Sequence, residues 1–430
     1  MLTDHPAQGN PRIGASDGGS RRLLIGVLLV ALVARLVVAL ATQSWNFPAR
    51  NDYWSFGHEM GRIARSLATG KGFASPSKTQ ETGPTAWMPP VYPFLMGGVF
   101  AVFGPYSPAS ALVLEGLQTL LALACCALLY RIGSRLFAPS VGLLAALMLA
   151  VYPPALHFSV QKIWSTYLFV FCLLLTLVQM WSLVRKPSWS QSLLTGVGFG
   201  FTSLVDPVFF AFWPFALLWF GWRGRADWRV RLQYGAGVVL VLAATLSPWL
   251  IRNYMVFDRF VFIKSNVGYI LWAANTPPSS AKEAERAEVQ GTDEGRREQF
   301  YQQHAFRRIW QQPWPFVGGV LQRGIDFWTL TKIKERVTGV GTSIAFFLLV
   351  VAGLAGLVLS LGKGHEVELL ILAVLTLPLP YYLLVFNYLR YRFPVEVLLM
   401  IFAGYAMVRV IRPALHAGGS PRGRVHQPCG

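Results

Sequence analysis

Two carboxylates, Asp52 and Glu59, stand seven residues apart in a polar stretch, residues 51–95, that separates the first hydrophobic run from the next. Phe56, Met60, Ile63, Ala64 and Leu67 recur at three- and four-residue steps and predict an amphipathic helix over 52–69, lying along a membrane surface. On one continuous helix the two acids share a face about 10 Å apart. A carboxylate at a membrane–water boundary can serve as general base toward a hydroxyl or bind a cation; a solvated polar face is the plain alternative.

Two further acids interrupt apolar sequence. Asp206, in SLVDPVFF, lies between two apolar runs and precedes a proline; Glu115 falls near the start of another run. An Asp at mid-bilayer costs about 2.5–3.5 kcal/mol, whereas one at a chain break can sit at the interface at little cost. Arg252 in SPWLIRNY, Arg323 in QRGIDFW, and Arg390 with Arg392 in NYLRYRFP have the character of phosphate binders, because a guanidinium at a span end can grip an anion with its planar fork or snorkel to the interface. No nucleotide-binding P-loop, HExxH, GxSxG or strand-linked GxGxxG motif occurs, so chemistry driven by a nucleotide bound to this chain is not expected.

The elements that must position these groups are membrane spans. The 430 residues are 54% hydrophobic and only 13% charged, with mean hydropathy +0.45, too apolar for a soluble domain of this size. The net charge of +18 reads as the positive-inside pattern, not as a nucleic-acid footprint, since many Lys and Arg sit in short links between apolar runs. Cys125, Cys126, Cys172 and Cys429 follow no disulfide or zinc spacing. Candidate spans run over 23–42, 87–103, 109–130, 141–156, 163–184, 193–205, 208–220, 235–251, 342–361, 367–386 and 395–410, giving an all-α polytopic protein of about ten to twelve transmembrane helices. The first run is too long for a signal-peptide core, so its amino end is expected inside.

Parity decides the topology. If every segment crosses, the basic links at Arg131/Arg135, Arg185/Lys186 and Arg223–Arg231 all fall outside. If the proline-interrupted segment after Trp87 does not cross, all three move inside and the long segment after Arg252 moves outside. The expected divisions are a disordered cytoplasmic tail over 1–20, an amino-terminal membrane module over 21–252 with its first outer loop at 43–87, an outer loop with a helical segment over 253–338, carboxy-terminal spans over 339–411 and a disordered tail over 412–430. The charged, helix-compatible section 282–308 is too small for an independent domain and is expected to cap a membrane-embedded cavity.

GPTAWMPPVYPFL followed by AVFG, the YPP at Tyr152–Pro154, SPWLIRNY followed by GYILWAAN, then RGIDFW and LRYRFPVE, in that order over 23–410, resemble the membrane glycosyltransferases of the GT-C fold. The similarity is nearest to bacterial members of family 39, relatives of the protein O-mannosyltransferases and aminoarabinose transferases. The resemblance implies transfer of a sugar from a polyprenyl-phosphate donor to a glycan, lipid or protein hydroxyl at the non-cytoplasmic face of the inner membrane, with an acid of the first outer loop as base. In the family that acid stands about fifteen residues before the glycine of an LxxG step. Here the step is Leu67–Gly70, and that distance falls on Ser55, between Asp52 and Glu59, so the base is one of these two.

Arg252, Arg323, Arg390 and Arg392 are the expected donor-phosphate ligands, and Tyr53, His58, Glu81, Trp87, Tyr92, Asp206, Asn253 and Tyr391 the expected cavity lining. A single acid near an arginine cluster needs no metal, whereas Asp52 with Glu59 and Glu81 could hold one divalent cation. Relatives often carry a Glu after the YPP span, where this chain has Lys162 and Trp164. An ion-coupled transporter or lipid flippase using Asp206 and Glu115, and a non-catalytic scaffold, are the competing readings.

Overall fold

The structure is a computed structural model and describes residues 17–46, 56–77, 81–224, 226–276, 279–329, 340–384 and 389–417. Most of both expected tails therefore lies outside the described residues. The helices are α1 (Asp17–Thr42), α2 (Glu59–Ala68), α3 (Val91–Phe103), α4 (Pro108–Leu136), α5 (Pro139–Val151), α6 (Pro153–Leu156), α7 (Thr166–Arg185), α8 (Trp189–Val205), α9 (Trp213–Arg223), α10 (Trp228–Phe257), α11 (Val267–Asn275), α12 (Ser280–Glu288), α13 (Glu294–Gln311), α14 (Pro313–Thr329), α15 (Val340–Leu359), α16 (His365–Thr376), α17 (Leu379–Leu384) and α18 (Leu389–Ala417). A π-helical turn, His157–Gln161, follows α6, and a 3₁₀ turn, Pro207–Ala211, separates α8 from α9. Only isolated β-bridges occur among the described residues, Phe56 with Ile163 and Ala74 with Pro84.

Each candidate span contains helix within the described residues, and the chain is a multi-pass membrane protein. Among the described residues six helical stretches, α1, α4, α7, α10, α16 with α17, and α18, are long and apolar enough to cross a membrane; the pair beginning with α5, bent by 62°, makes a seventh. The larger count of ten to twelve depends on shorter elements, among them α3 and the described part of α15. Glycines let the backbones approach closely: a Cβ at Gly133 of α4 would stand 2.8 Å from Gly142 Cα of α5, and one at Gly356 of α15 would collide with the Phe402 carbonyl oxygen of α18.

The break after α5 follows from Tyr152-Pro153-Pro154. Pro154 has no N–H to offer the carbonyl of Ala150, four residues back. Arg35, in the middle of α1 and 1% exposed, supplies the missing donor: its guanidinium donates to Ala150 O at 3.2 Å, to its own Ala31 O at 2.9 Å and to the Tyr167 hydroxyl at 3.1 Å. Tyr167 in turn donates to Ala155 O at 2.9 Å. Arg35 thus replaces one of the hydrogen bonds that the prolines remove, and Tyr167 fastens the chain just beyond the break.

At one end of the bundle Arg135 grips Glu366 with two bonds of 2.9 and 3.1 Å, Arg185 reaches the same carboxylate at 2.5 Å, and Arg223 meets Glu368 at 2.8 Å. Both acids stand in the first turn of α16, where the helix dipole also favours negative charge. The three basic links therefore share one end, as they do in the topology where the stretch after Trp87 does not cross. That stretch forms α3, 13 residues or about 20 Å long, against a hydrocarbon core of about 30 Å.

The segment after α10 forms the helical cap α11–α14. It has a small core of its own, built from Trp272, Val289, Tyr301 and Ala305. Lys282 closes the end of α11 by donating to the carbonyls of Ala273 and Thr276 at 3.2 and 2.7 Å. Buried Glu294, at the start of α13, joins the cap to the loop between α1 and α3: it accepts from Thr85 Oγ1 and Ala86 N, each at 2.7 Å, and from Ser265 Oγ.

Candidate active site

Phe56 pairs with Ile163, and the backbone then turns through Gly57 (φ 79°) and His58 (φ 44°) before α2 begins at Glu59. The helix expected over 52–69 is therefore shorter. A turn at Gly57 and His58 precedes Glu59, so α2 does not extend back over 52–58 as expected. Asp52 and Tyr53 themselves lie outside the described residues. The apolar stripe is as expected, with Phe56, Met60, Ile63 and Ala64 buried, and α2 packs on α3, where Gly97 receives Leu67.

Glu59 Oε2 stands 2.7 Å from His58 Nδ1, His58 Nε2 stands 3.2 Å from an Arg62 nitrogen, and Arg62 donates to Pro76 O at 2.7 Å. Burial pushes the Glu59 carboxyl upward, but the hydrogen bond and charge of His58, a backbone hydrogen bond and the charge of Arg390 outweigh it. The carboxyl is held below its ordinary range.

Opposite Phe56, the segment after the π turn is fixed by Gln118 of α4. Its amide oxygen accepts from Trp164 N at 3.0 Å and Tyr92 Oη at 2.9 Å, and its amide nitrogen donates to Ser159 O and Lys162 O, both at 3.2 Å. Trp164 so held takes two cations on its ring: the Lys162 ammonium at 5.4 Å and the Arg390 guanidinium at 4.1 Å. Arg390 also donates to the Tyr391 hydroxyl at 3.0 Å, and Tyr391 stacks on Tyr381 at 4.6 Å. Asp206 accepts from Val208 N at 3.1 Å and lies within the fields of Lys264 and Arg390. His58, Glu59, Asp206, Arg390 and Tyr391 are thus brought together, and Lys162, Trp164, Tyr381 and Lys264 join them.

Other expected members are placed elsewhere. Arg392, two residues from Arg390 and so about 200° around α18, is 1% exposed; it lies 3.7 Å from Glu396 and 3.7 Å from the Phe346 ring centre. Arg252 donates to Thr85 O at 2.6 Å, Phe73 O at 3.1 Å and Asn253 Oδ1 at 3.0 Å, fastening the first loop to α10. Asn253, fully buried, holds the carbonyls of Val261 and Phe262. Arg323 ties α14 to Tyr382 O at 2.6 Å and to Asn275 at 3.2 Å.

Tyr92 is buried on Gln118. Glu81, with its side chain 71% exposed, pairs with Lys71, which lowers its carboxyl's pKa. Trp87 faces the cap, 6.1 Å from Tyr269. Among the described residues no three His, Cys, Asp or Glu side chains converge on a metal position. An apolar groove of about 470 Å³, lined by Leu67, Phe73, Phe94, Leu204 and Trp249, runs beside Arg252.

This geometry can be set against known proteins. No curated protein sequence matches the chain. Residues 88–251, from just before α3 into α10, match the dolichyl-phosphate-mannose-protein mannosyltransferase family. The archaeal oligosaccharyltransferase AglB of Archaeoglobus fulgidus, in complex with an inhibitory peptide and a dolichol-phosphate, superposes on 96% of this chain at 14% identity with a TM-score of 0.60. The chain has the fold of the GT-C-type glycosyltransferases. It spans about half, 53%, of that oligosaccharyltransferase. The apo form of the same enzyme gives a TM-score of 0.60 at 12% identity over 96% of this chain and 54% of that one. ArnT from Cupriavidus metallidurans in its apo state is 14% identical over 95% of this chain and 82% of its own, with a TM-score of 0.37. Within the GT-C fold of this chain, the cluster around Glu59 and Arg390 lies where the loop before α2, the turn after α6 and the start of α18 meet.

Sequence reasoning passed over Lys264, Tyr381 and Gln118 and treated Lys162 only as a departure from relatives. The available signal was the rarity of Gln118 and Lys162 as polar residues amid apolar sequence.

Proposed function

We propose that this chain is an integral membrane glycosyltransferase that moves a sugar from a polyprenyl-phosphate donor to a hydroxyl of a glycan, lipid or protein acceptor. The observation that carries the reading is a first-loop carboxylate, Glu59, kept ionised within the field of Arg390, with Lys162 sharing the Trp164 ring. The acceptor hydroxyl loses its proton to Glu59, or to Asp52 of the same loop, as its oxygen attacks the anomeric carbon. The bond from that carbon to the phosphate oxygen breaks, and the lipid phosphate leaves with the bonding pair. Arg390 and Lys162 stabilise the charge that grows on it, which is largest in the transition state.

The A. fulgidus enzyme, solved with a dolichol-phosphate, supports a lipid-phosphate donor, and the family matched over 88–251 is named for a dolichyl-phosphate mannose donor. The apolar groove beside Trp249 would give the donor's lipid chain a route in. The expected location is the inner (plasma) membrane with the site on the non-cytoplasmic side, opposite the Arg135, Arg185 and Arg223 links.

The A. fulgidus enzyme has also been solved with Zn and sulfate. The described part of this site fits a divalent cation poorly: Glu81 is engaged by Lys71, and Glu59 is engaged by His58 in the field of Arg390. No step above uses a metal.

The test is transfer of labelled sugar from a panel of polyprenyl-phosphate sugars by the purified protein in lipid, beside Asp52→Asn, Glu59→Gln and Arg390→Gln variants. Loss in one acid variant identifies the base. Full transfer by both acid variants sinks the assignment, and proton-coupled uptake without transfer, abolished in Asp206→Asn, would show a transporter.

A further inference from the structure

Between the first loop and the cap lies a second pocket, of about 370 Å³, that the mechanism does not use. Three aromatic side chains line it: Trp87 from the loop, Tyr269 from α11 and Tyr301 from α13. The polar groups between them are of both signs. Arg297 faces the pocket and makes no ion pair among the described residues. Arg286 donates to the Tyr269 hydroxyl at 2.8 Å and steadies that ring.

Glu298, 5% exposed, accepts from Gly268 N at 2.7 Å and Gln302 Nε2 at 2.9 Å through Oε1, while its Oε2 has no hydrogen bond among the described residues. A buried carboxylate oxygen without a donor is costly unless something completes it. Burial, the largest influence, raises this carboxyl's pKa; the Gly268, Gln302 and Tyr269 groups oppose it.

We propose that this pocket binds an uncharged sugar ring of the acceptor, with Trp87, Tyr269 and Tyr301 as stacking faces, and with Glu298, Gln290 and Arg297 as hydrogen-bond partners for its hydroxyls. The proposal rests on the glycosyltransferase reading and narrows its acceptor to one that already carries sugar. Aromatic walls with a few converging donors and acceptors suit a ring that is apolar on its faces and hydroxylated at its edge. Two arginines balanced by two glutamates, Glu294 and Glu298, argue against a free anion as the preferred occupant.

The position suits an acceptor. Ser265 lines the pocket, and its chain neighbour Lys264 acts on Asp206 in the reaction cluster, so one short strip joins the two sites.

The test is saturation-transfer NMR on the full chain in lipid nanodiscs, with methyl α-D-mannopyranoside, methyl β-D-glucopyranoside and N,N′-diacetylchitobiose as probes and inorganic phosphate as competitor. At least one glycoside is expected to bind, with affinity about tenfold weaker in Glu298→Gln, which keeps the Oε1 bonds but replaces the free acceptor by a donor, and in Arg297→Gln. Binding is expected unchanged in Glu59→Gln. A matching melting temperature for each variant separates lost binding from lost folding. No glycoside binding, displacement by millimolar phosphate, or binding lost only in Glu59→Gln would each overturn the proposal. The assay reads binding without turnover, so a chain that binds the glycoside but transfers no sugar would refute the transferase reading and leave the pocket standing.

Discussion

Glu59 is the residue on which the proposed chemistry turns, and its surroundings fix a pH signature. Its folded carboxyl titrates below the ordinary value of 4.5, so the ionised base, and the stability that the depression adds, are present above the unfolded pKa and lost only as pH falls through the folded one. The expected kcat/KM profile is flat from neutrality down to about pH 5. His58→Asn, a residue that tolerates the positive φ, should move the acid limb upward, because burial then acts against Arg390 and the backbone alone. Glu59→Gln should cost about 10²–10⁴ in kcat if it is the base, and Arg390→Gln about 10²–10³; single-turnover transfer measures both.

The sequence offered Glu59, His58, Asp206, Arg390 and Tyr391 by residue type and neighbourhood. It also grouped Arg392 with Arg390, an error of helical direction: two residues along a helix point to opposite sides. Arg252 and Arg323 are engaged on backbone carbonyls, which no spacing rule reveals, since those carbonyls come from segments far away in the chain.

Among the elements, hydrophobic runs sufficed to find the membrane-spanning helices, because the requirement for apolar length is local; α2 needed its three- and four-residue period, α12 and α13 their charge pattern, and α11 and α14 were not foreseen. Boundaries set by single backbone dihedrals were not legible: Gly57 gave a hint, but the positive φ of His58 did not, and the helix expected from 52 begins at 59. The Arg35 brace is also an element-scale feature, joining α1 to the break between α5 and α6. Replacing Arg35 by Leu should leave Ala150 O without a donor and destabilise the bundle by about 1–3 kcal/mol, read as a lowered melting temperature in lipid. Activity should fall with it if the 157–164 segment loosens. A variant as stable as the parent would show that the bent pair holds without the brace.

At the scale of the whole molecule, charge predicted arrangement. The expectation that three basic links share a side followed from their distribution, and the structure gathers Arg135 and Arg185 on Glu366 and Arg223 on Glu368, both in the first turn of α16. In a Cys429→Ser background, a cysteine at Glu81 is therefore expected to react with an impermeant maleimide from the outside of intact cells, and one at Lys186 only after permeabilisation; Cys125, Cys126 and Cys172 are buried and give little background. Labelling of both from the same side would refute the topology. The cap was legible as charged and helical, but its fit to the first loop was not, because it depends on Glu294, which resembles the other acids of its segment until the fold is known.

That single carboxylate has a consequence for traffic through the site. Raising the cap as a hinged lid would break the Thr85, Ala86 and Ser265 hydrogen bonds to Glu294 together, and charge-assisted bonds of this kind contribute about 1.5–3 kcal/mol each. Loop and cap should then travel as one roof, with substrates passing beneath its eaves from the bilayer and along its rim from the aqueous side. Hydrogen exchange at Ala86 and the first turn of α13 should accordingly slow and quicken in step.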